Sequence, residues 1–275
     1  MSARLILGCQ GWRYAEWVGA FYRGVTSAEA MLREYASNFS TVEVAETFRG
    51  IPPLSLVRTW RESVPAGFSF ALRVPQQVTH ERRLSGTDRF IDRFLKRVTL
   101  LGDHLGPLVI LMPAGSLAND DSRARFSEFI LSLPTEVRWA VEFRSRGWLA
   151  PEVLQLLRRR RIAVVWGEGR WLPRSCVLDL TREPTADFAY VRWNPQSRRR
   201  LVDADAEDPV ESLVSAWSSV LRGIGEPVET VYGYVSNRIT GRAHHDLKRI
   251  EQAALRLDGG QQETLHSCRT DWGSC

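Results

Sequence analysis

Two glutamates interrupt otherwise apolar segments and are the strongest candidates for proton transfer. Glu43 lies within TVEVAETF and Glu142 within RWAVEFR. A charged side chain is rarely buried unless it is paired, so each of these acids needs a structural or chemical reason. His80, in the loop sequence QQVTHERRL, can assist because imidazole exchanges a proton near neutral pH. We predict Glu43, Glu142 and His80 as the catalytic group, with one glutamate as general acid or base.

Arginines end several of the same apolar segments. Arg73 ends FSFALR, Arg144 follows Glu142, and Arg192 precedes Asn194 near the end of DFAYVRWN. They form either a structural ion-pair network or a pocket in which guanidinium groups grip a phosphate or carboxylate through forked hydrogen bonds. Convergence from separate segments favours the pocket. The predicted substrate-binding residues are Arg73, Arg144, Arg192, Asn194, Asn237, Trp12 and Tyr14.

The two aromatic candidates belong to the stretch GWRYAEWVGAFY. Trp12 and Tyr14 either line a site and stack on a ring or sugar, or pack beneath its rim. Packing is the more frequent fate of such residues, and both interpretations stay open from the sequence.

These residues need elements that bring them together. About eight short runs rich in Val, Ile and aromatic residues alternate with stretches of helical periodicity. This order is typical of parallel βα units and predicts an α/β fold, a TIM-type (β/α)8 barrel. Strand alternation would place Glu43, Ala45 and Thr47 on one face, at the carboxyl end where barrel sites lie. In the segment from Gly169 to Asp187 we expect something irregular in place of the sixth helix.

Length and composition fit one domain of 275 residues. We predict a single barrel over residues 1–257 and a loosely ordered tail over 258–275, where Cys268 and Cys275 have no assigned role. No apolar run approaches the roughly 18 residues of a membrane span, and the N-terminal apolar stretch is too short for a signal peptide. The expected location is cytoplasmic, with no membrane partner.

Metal and cofactor signatures are weak. Only one of the five histidines, His80, lies near the expected site, and the four cysteines show no zinc-binding spacing. We predict no metal ligands and assign no cofactor.

The chain carries a net charge of +5, with arginine runs at 158–161 and 198–200. These runs leave nucleic acid open as a partner, beside the small anionic ligand that the pocket would take.

A family resemblance rests on GCQGWRYAEWVGAFY, FSTVEVAETFRGIP, RVPQQVTHERRL, GPLVILMP, AVEFRSRGW, FAYVRWN and VYGYVSNRITGRA, in this order. The chain resembles the YecE-like proteins, domain-of-unknown-function family 72, from about Gly8 to Leu247. The resemblance implies a TIM-type barrel and no established activity. It matches the family motifs at most of the candidate residues, including Glu43, His80 and Glu142.

The resemblance also shows departures at the predicted site. The family pattern usually has asparagine where Ala45 stands, lysine where Arg73 stands and histidine where Asn194 stands. A second asparagine is usual near Ser236. Losing a histidine and a carboxamide removes proton-transfer and orienting groups together, so the resemblance leaves open whether this chain catalyses a reaction.

Three functions remain in order of preference. The first is an enzyme or ligand-binding barrel with a phosphate- or carboxylate-bearing ligand at its mouth, a hydrolase or isomerase of phosphorylated or sugar-like substrates if it is catalytic. The second is a non-catalytic module that binds nucleic acid or protein through its arginine-rich surface. The third is a metal-dependent phosphoesterase or nuclease. The sequence assigns neither substrate nor oligomeric state.

Overall fold

The computed structural model of the protein describes residues 3–194, 209–238 and 240–255. Eight parallel strands close into a barrel in chain order, with β1 hydrogen-bonded to both β2 and β8. The strands are β1 (Arg4–Cys9), β2 (Thr41–Val44), β3 (Ser69–Arg73), β4 (Leu105–Leu111), β5 (Trp139–Glu142), β6 (Ala163–Glu168), β7 (Phe188–Trp193) and β8 (Thr230–Val235). The predicted TIM-type barrel is confirmed.

One α-helix follows each strand and covers the outside of the barrel. The helices are α1 (Ala28–Ala36), α2 (Leu54–Glu62), α3 (Asp88–Val98), α4 (Asp120–Ser132), α5 (Pro151–Arg159), α6 (Arg174–Thr181), α7 (Pro209–Gly223) and α8 (Ala243–Leu255). The residue types at the N-termini determine where several of these helices begin. Asn119 caps α4 by accepting a hydrogen bond from the backbone N–H of Ser122 at 3.0 Å, and Pro151 opens α5 where its missing N–H costs nothing.

Two local expectations are corrected. The segment after β6 contains a regular helix, α6, which is the shortest of these eight helices and follows a short loop. Strand β2 ends at Val44, and Ala45 has helical backbone angles of φ −77° and ψ −26°. Ala45 and Thr47 therefore do not continue the strand face that carries Glu43.

The core has two layers because each strand buries both faces, as parallel strands in α/β proteins do. One layer lies between barrel and helices and includes Val42, Val141 and Trp193. The other fills the barrel interior, where Tyr190, Tyr234 and smaller residues pack together. Alternation along the strands thus assigns each residue to the interior or to the helix layer.

The domain boundary predicted at residue 257 stays a prediction. Helix α8 ends at Leu255, and the predicted tail lies outside the described residues, as does the arginine run at 198–200. Across the described ranges, no helix is both long enough and apolar enough to span a membrane.

Candidate functional site

The carboxyl ends of the strands carry a layer of polar side chains above the apolar interior. On β7, Tyr190 belongs to the interior cluster, and Arg192 lies two residues further along the same face. The same step of two leads from Ala140 to Glu142 on β5 and from Ala71 to Arg73 on β3. Strand geometry alone therefore brings residues from distant parts of the chain to one level of the barrel, which we call the mouth.

Glu43 is the centre of this layer and is completely buried. Its Oε1 accepts a hydrogen bond from Arg73 Nε at 2.8 Å, and its Oε2 accepts one from the Tyr190 hydroxyl at 2.8 Å. Burial would raise the pKa of this carboxyl, but Arg192 and Arg73 outweigh burial and hold the pKa below its usual value. Glu43 is therefore a carboxylate with both oxygens engaged, which makes it a poor proton donor.

Arg192 joins the two glutamates. Its Nη1 donates to Glu142 Oε2, its Nη2 lies 3.3 Å from Glu43 Oε1, and its Nε lies 3.1 Å from Glu43 Oε2. Burial lowers the pKa of Arg192, but the two carboxylates raise it by more, so its net shift is upward. Only 5% of Arg192 is exposed, and both of its Nη atoms donate hydrogen bonds, whereas its buried Nε is within ion-pair distance of Glu43 without making a hydrogen bond among the described residues. The geometry gives Arg192 a bridging role within the barrel.

Glu142 differs from Glu43 because one of its two carboxylate oxygens accepts no hydrogen bond among the described residues. Oε2 accepts from Arg192, whereas no hydrogen bond to Oε1 occurs among the described residues. The neighbouring interior position on β6 is Gly167, where an added Cβ would lie 3.5 Å from Glu142 Oε1. Because glycine has no side chain, β6 leaves this oxygen uncovered.

Gln10 and Tyr190 were missed by the sequence prediction. The side-chain oxygen Oε1 of Gln10 accepts from Arg192 Nη2 at 3.2 Å, and its side-chain Nε2 donates to Asn194 Oδ1 at 3.2 Å. Gln10 thus links the arginines to the predicted binding residue Asn194. Tyr190 is a polar group within an apolar strand, and Gln10 directly follows one, so both carry a signal like the one that identified Glu43.

Arg144 lies just beyond β5 and is half-buried. Its guanidinium carbon is 5.1 Å from the centre of the Trp171 ring, and its Nε is buried with no hydrogen-bond partner in the described part of the chain. Burial lowers its pKa; Glu142 opposes this shift, and Arg192 and Arg73 add to it. An arginine still keeps its charge at neutral pH. Arg144 is therefore a positively charged side chain at the mouth that has no carboxylate partner among the described residues.

His80 lies beside the mouth in a single π-helical turn, Gln77–Glu81. Its Nδ1 is 2.8 Å from the Thr79 hydroxyl, and its ring stands edge-on to Phe48. Burial and then the charge of Arg144 lower its pKa below the usual value. His80 borders a cavity of about 380 Å³ that Arg83, Ser116 and Arg125 also line. The ring is neutral at pH 7 and able to accept a proton.

Three other predicted residues serve mainly to hold the mouth together. The Asn237 side chain accepts from Trp17 Nε1 at 3.1 Å and donates to Glu16 Oε1 at 2.8 Å, which ties the loop after β8 to the loop after β1. Trp12 is buried and donates to the Ala28 carbonyl at 3.1 Å. The Tyr14 hydroxyl donates to the backbone carbonyl of Gln10, and burial raises the pKa of Tyr14 to about 12.

One further acid near the mouth points away from it. Glu168 ends β6 on the helix side, where it pairs with Arg174 and accepts a hydrogen bond from Trp217 Nε1. It therefore fastens helices α6 and α7 to the barrel. Within the described ranges, no three side chains of His, Cys, Asp or Glu form a group that could hold a metal ion.

The family follows from a match along most of the chain. A family model described as a protein of unknown function, DUF72, matches residues 6–267. The chain belongs to the DUF72 family. Among curated proteins, UPF0759 protein YecE of Escherichia coli strain K12 is 30% identical over 146 residues, which are 53% of this chain and 50% of that protein. The match therefore spans about half the length of YecE.

Solved structures of DUF72 proteins share this fold. A DUF72 family protein of Thermotoga maritima MSB8 superposes with a TM-score of 0.72 at 21% identity, covering 90% of this chain and 98% of that chain. One from Enterococcus faecalis V583 gives a TM-score of 0.68 at 17% identity, covering 91% of this chain and 95% of that chain. These identities establish a common barrel and leave the chemistry of the mouth to be argued from its own residues.

Proposed function

We propose that this DUF72 barrel binds a phosphate- or carboxylate-bearing small molecule at its mouth and that Arg144 is the main anion-binding residue. The supporting observation is the charge balance of the mouth. Arg73 and Arg192 are paired with the carboxylates of Glu43 and Glu142, whereas Arg144 has no such partner among the described residues. Three guanidinium groups against two carboxylates leave one uncompensated positive charge, which an anionic ligand would neutralise.

The surroundings of Arg144 favour binding over simple solvation. Its guanidinium is held over Trp171, so less side-chain freedom remains to be lost when a ligand binds. Partial burial weakens its interaction with water and strengthens its attraction to an anion. A forked contact with phosphate or carboxylate would also provide the missing partner of the buried Nε.

If the barrel is catalytic, we assign proton transfer to Glu142 and His80. Glu142 Oε1 is uncovered, and His80 is neutral at pH 7, so both have a free basic atom. Glu43 would keep Arg73 and Arg192 in place. This arrangement suits general acid–base chemistry on a phosphorylated or sugar-like substrate, as in a hydrolase or isomerase.

A thermal-shift screen of purified protein against sugar phosphates, carboxylic acids, nucleotides and short single-stranded DNA, with and without divalent metal, tests the proposal. Because a ligand stabilises only the state it binds, a mouth ligand should raise Tm in the wild type and much less in Arg144→Ala. Arg146→Ala is the matched control, since Arg146 is exposed and lies two residues away.

Other outcomes would favour the other functions. Salt-sensitive DNA binding that survives Arg144→Ala, without any small-molecule shift, would support the surface-binding module. A shift or phosphoester cleavage that requires divalent metal would support a metal-dependent phosphoesterase or nuclease.

A further inference from the structure

The opposite end of the barrel, where the strands begin, contains a second cavity of about 600 Å³. Its walls are formed by the α4–β5 loop, the end of α5 with the turn after it, and the first residues of β4 and β7. In TIM barrels this end usually serves stability, so a large polar cavity here is unexpected. Its volume is within the range of small-molecule sites, roughly 300 to 1,000 Å³. We call it the basal cavity.

The basal cavity is lined by more positive than negative groups. Four arginines line it, against the carboxylates of Glu136 and Asp187, which leaves two uncompensated positive charges. Among the described residues, neither Arg159 nor Arg161 has a carboxylate within ion-pair distance. Arg158, by contrast, pairs with Glu183 at 2.6 Å and does not line the cavity. The run at 158–161 is therefore divided, and only part of it faces this space.

The remaining two arginines are held in place by the protein. Arg138 Nη1 donates to the Tyr232 hydroxyl at 3.1 Å, and its guanidinium carbon lies 6.0 Å from the centre of the Phe188 ring. Arg160 donates through Nη2 to the Leu133 carbonyl, whereas its Nε is buried without a hydrogen-bond partner in the described ranges. The cavity thus has hydrogen-bond donors that the protein holds in place, and Arg160 has one donor that is not yet used.

Arg161 adds a third, independent observation. Its φ is +51°, in the left-handed region that glycine adopts without strain and that is unfavourable for a residue with a Cβ. The turn between α5 and β6 would be more relaxed with glycine, yet it carries an arginine that lines the basal cavity. Such strain is often found at functional sites.

We infer that the basal cavity binds a small phosphate-bearing ligand through Arg138, Arg159 and Arg161. The guanidinium groups come from the α4–β5 loop, from the last residue of α5 and from the turn after it, and together they match the several oxygens of a phosphate group. A volume of about 600 Å³ suits a small molecule. This site is independent of the mouth, since the two share no residue.

Isothermal titration calorimetry with inorganic pyrophosphate tests the inference in the full-length protein. The key variant combines Arg159→Ala with Arg161→Gly, because glycine removes the guanidinium and also relieves the strained backbone. We expect its affinity for pyrophosphate to fall at least tenfold while its Tm stays equal or rises. Arg93→Ala, which removes an exposed charge from α3, should leave this affinity unchanged.

Three results would overturn the inference. These are the absence of pyrophosphate binding, binding that is equal in the double variant and the wild type, and binding that only Arg144→Ala abolishes. The last result would assign the ligand to the mouth alone. The first result, together with binding of short single-stranded DNA that is lost in the double variant, would assign the cavity to nucleic acid and reject a small ligand.

Discussion

At the scale of single residues, the mouth combines two kinds of charged side chain. Glu43 and Arg192 are buried, paired and hydrogen-bonded, which is how an interior tolerates charge. Arg144 is also partly buried but has no carboxylate partner among the described residues. The first kind holds the barrel end together, and the second is available to a ligand. Mutations of the two kinds should therefore affect different properties.

Removing the bridging arginine should mainly affect stability. Arg192→Met leaves the Glu142 carboxylate buried without its cation and takes one of two cations from Glu43. Breaking a buried pair in this way costs about 3–5 kcal/mol. Urea denaturation should show this loss, and adding Glu142→Gln should recover part of it. Arg146→Ala should change stability by less than about 0.5 kcal/mol. A loss below about 1 kcal/mol in Arg192→Met would show that the bridge is unimportant for folding.

The protonation of His80 should respond to Arg144. Burial and the Arg144 charge hold the pKa of His80 below its usual value of about 6.5. Arg144→Ala removes a nearby positive charge, so the imidazolium becomes less unfavourable and the pKa should rise. Titration of the ring resonances by NMR in both proteins measures this directly. Arg146→Ala should leave the pKa where it is. An unchanged or lower pKa in Arg144→Ala would show that the charge of Arg144 does not disfavour protonation of His80.

At the scale of strands and helices, alternation predicted much of the mouth and failed where strands ended early. Glu43, Arg73, Glu142 and Arg192 lie on interior strand positions, as the period of two requires. The prediction for Ala45 was wrong because β2 ends one residue before it, and no glycine or proline in TVEVAETF marks that end.

Other features of the mouth depend on tertiary packing. The contact of Arg144 with Trp171 joins residues far apart in the chain, so no local pattern could predict it. Gln10 could have been found, because it continues the interior face of β1 two residues beyond Gly8. Local periodicity thus predicts which face a residue occupies, whereas its partners depend on the closed barrel.

A glycine on β6 allows a test of the uncovered acid. Gly167→Ala would place a methyl group 3.5 Å from Glu142 Oε1, an ordinary contact that the fold accommodates. The methyl should block one hydrogen bond from a mouth ligand, which is worth about 1 kcal/mol, or roughly fivefold in Kd. Stability should stay equal or rise slightly, because alanine restricts the unfolded chain.

The control for this test is Gly50→Ala, where an added Cβ meets nothing within 4 Å. Calorimetry with the best ligand from the thermal-shift screen compares the three proteins. Unchanged affinity in Gly167→Ala would mean that bound ligand does not approach Glu142 Oε1.

At the scale of the whole molecule, the barrel separates two cationic regions by the length of its strands. Arg192 and Phe188 mark the mouth and base ends of β7, four residues apart, which is about 13 Å along an extended strand. The interior between them is filled by aromatic and aliphatic side chains. A packed core of this kind holds both ends rigidly but gives a ligand at one end no direct contact with a ligand at the other.

The two proposed sites should therefore act independently. At a ligand concentration 100 times Kd, each occupied site should add about 2.7 kcal/mol to the free energy of unfolding. Arg144→Ala should remove the stabilisation that the mouth ligand gives, and the Arg159→Ala/Arg161→Gly variant should remove the stabilisation that the basal ligand gives. A variant that combines all three changes should lose both. Since sites this far apart without shared partners couple by less than about 0.5 kcal/mol, the losses should add. Urea denaturation with the mouth ligand and pyrophosphate, separately and together, measures each term. A clear departure from additivity would show that the barrel transmits binding from one end to the other.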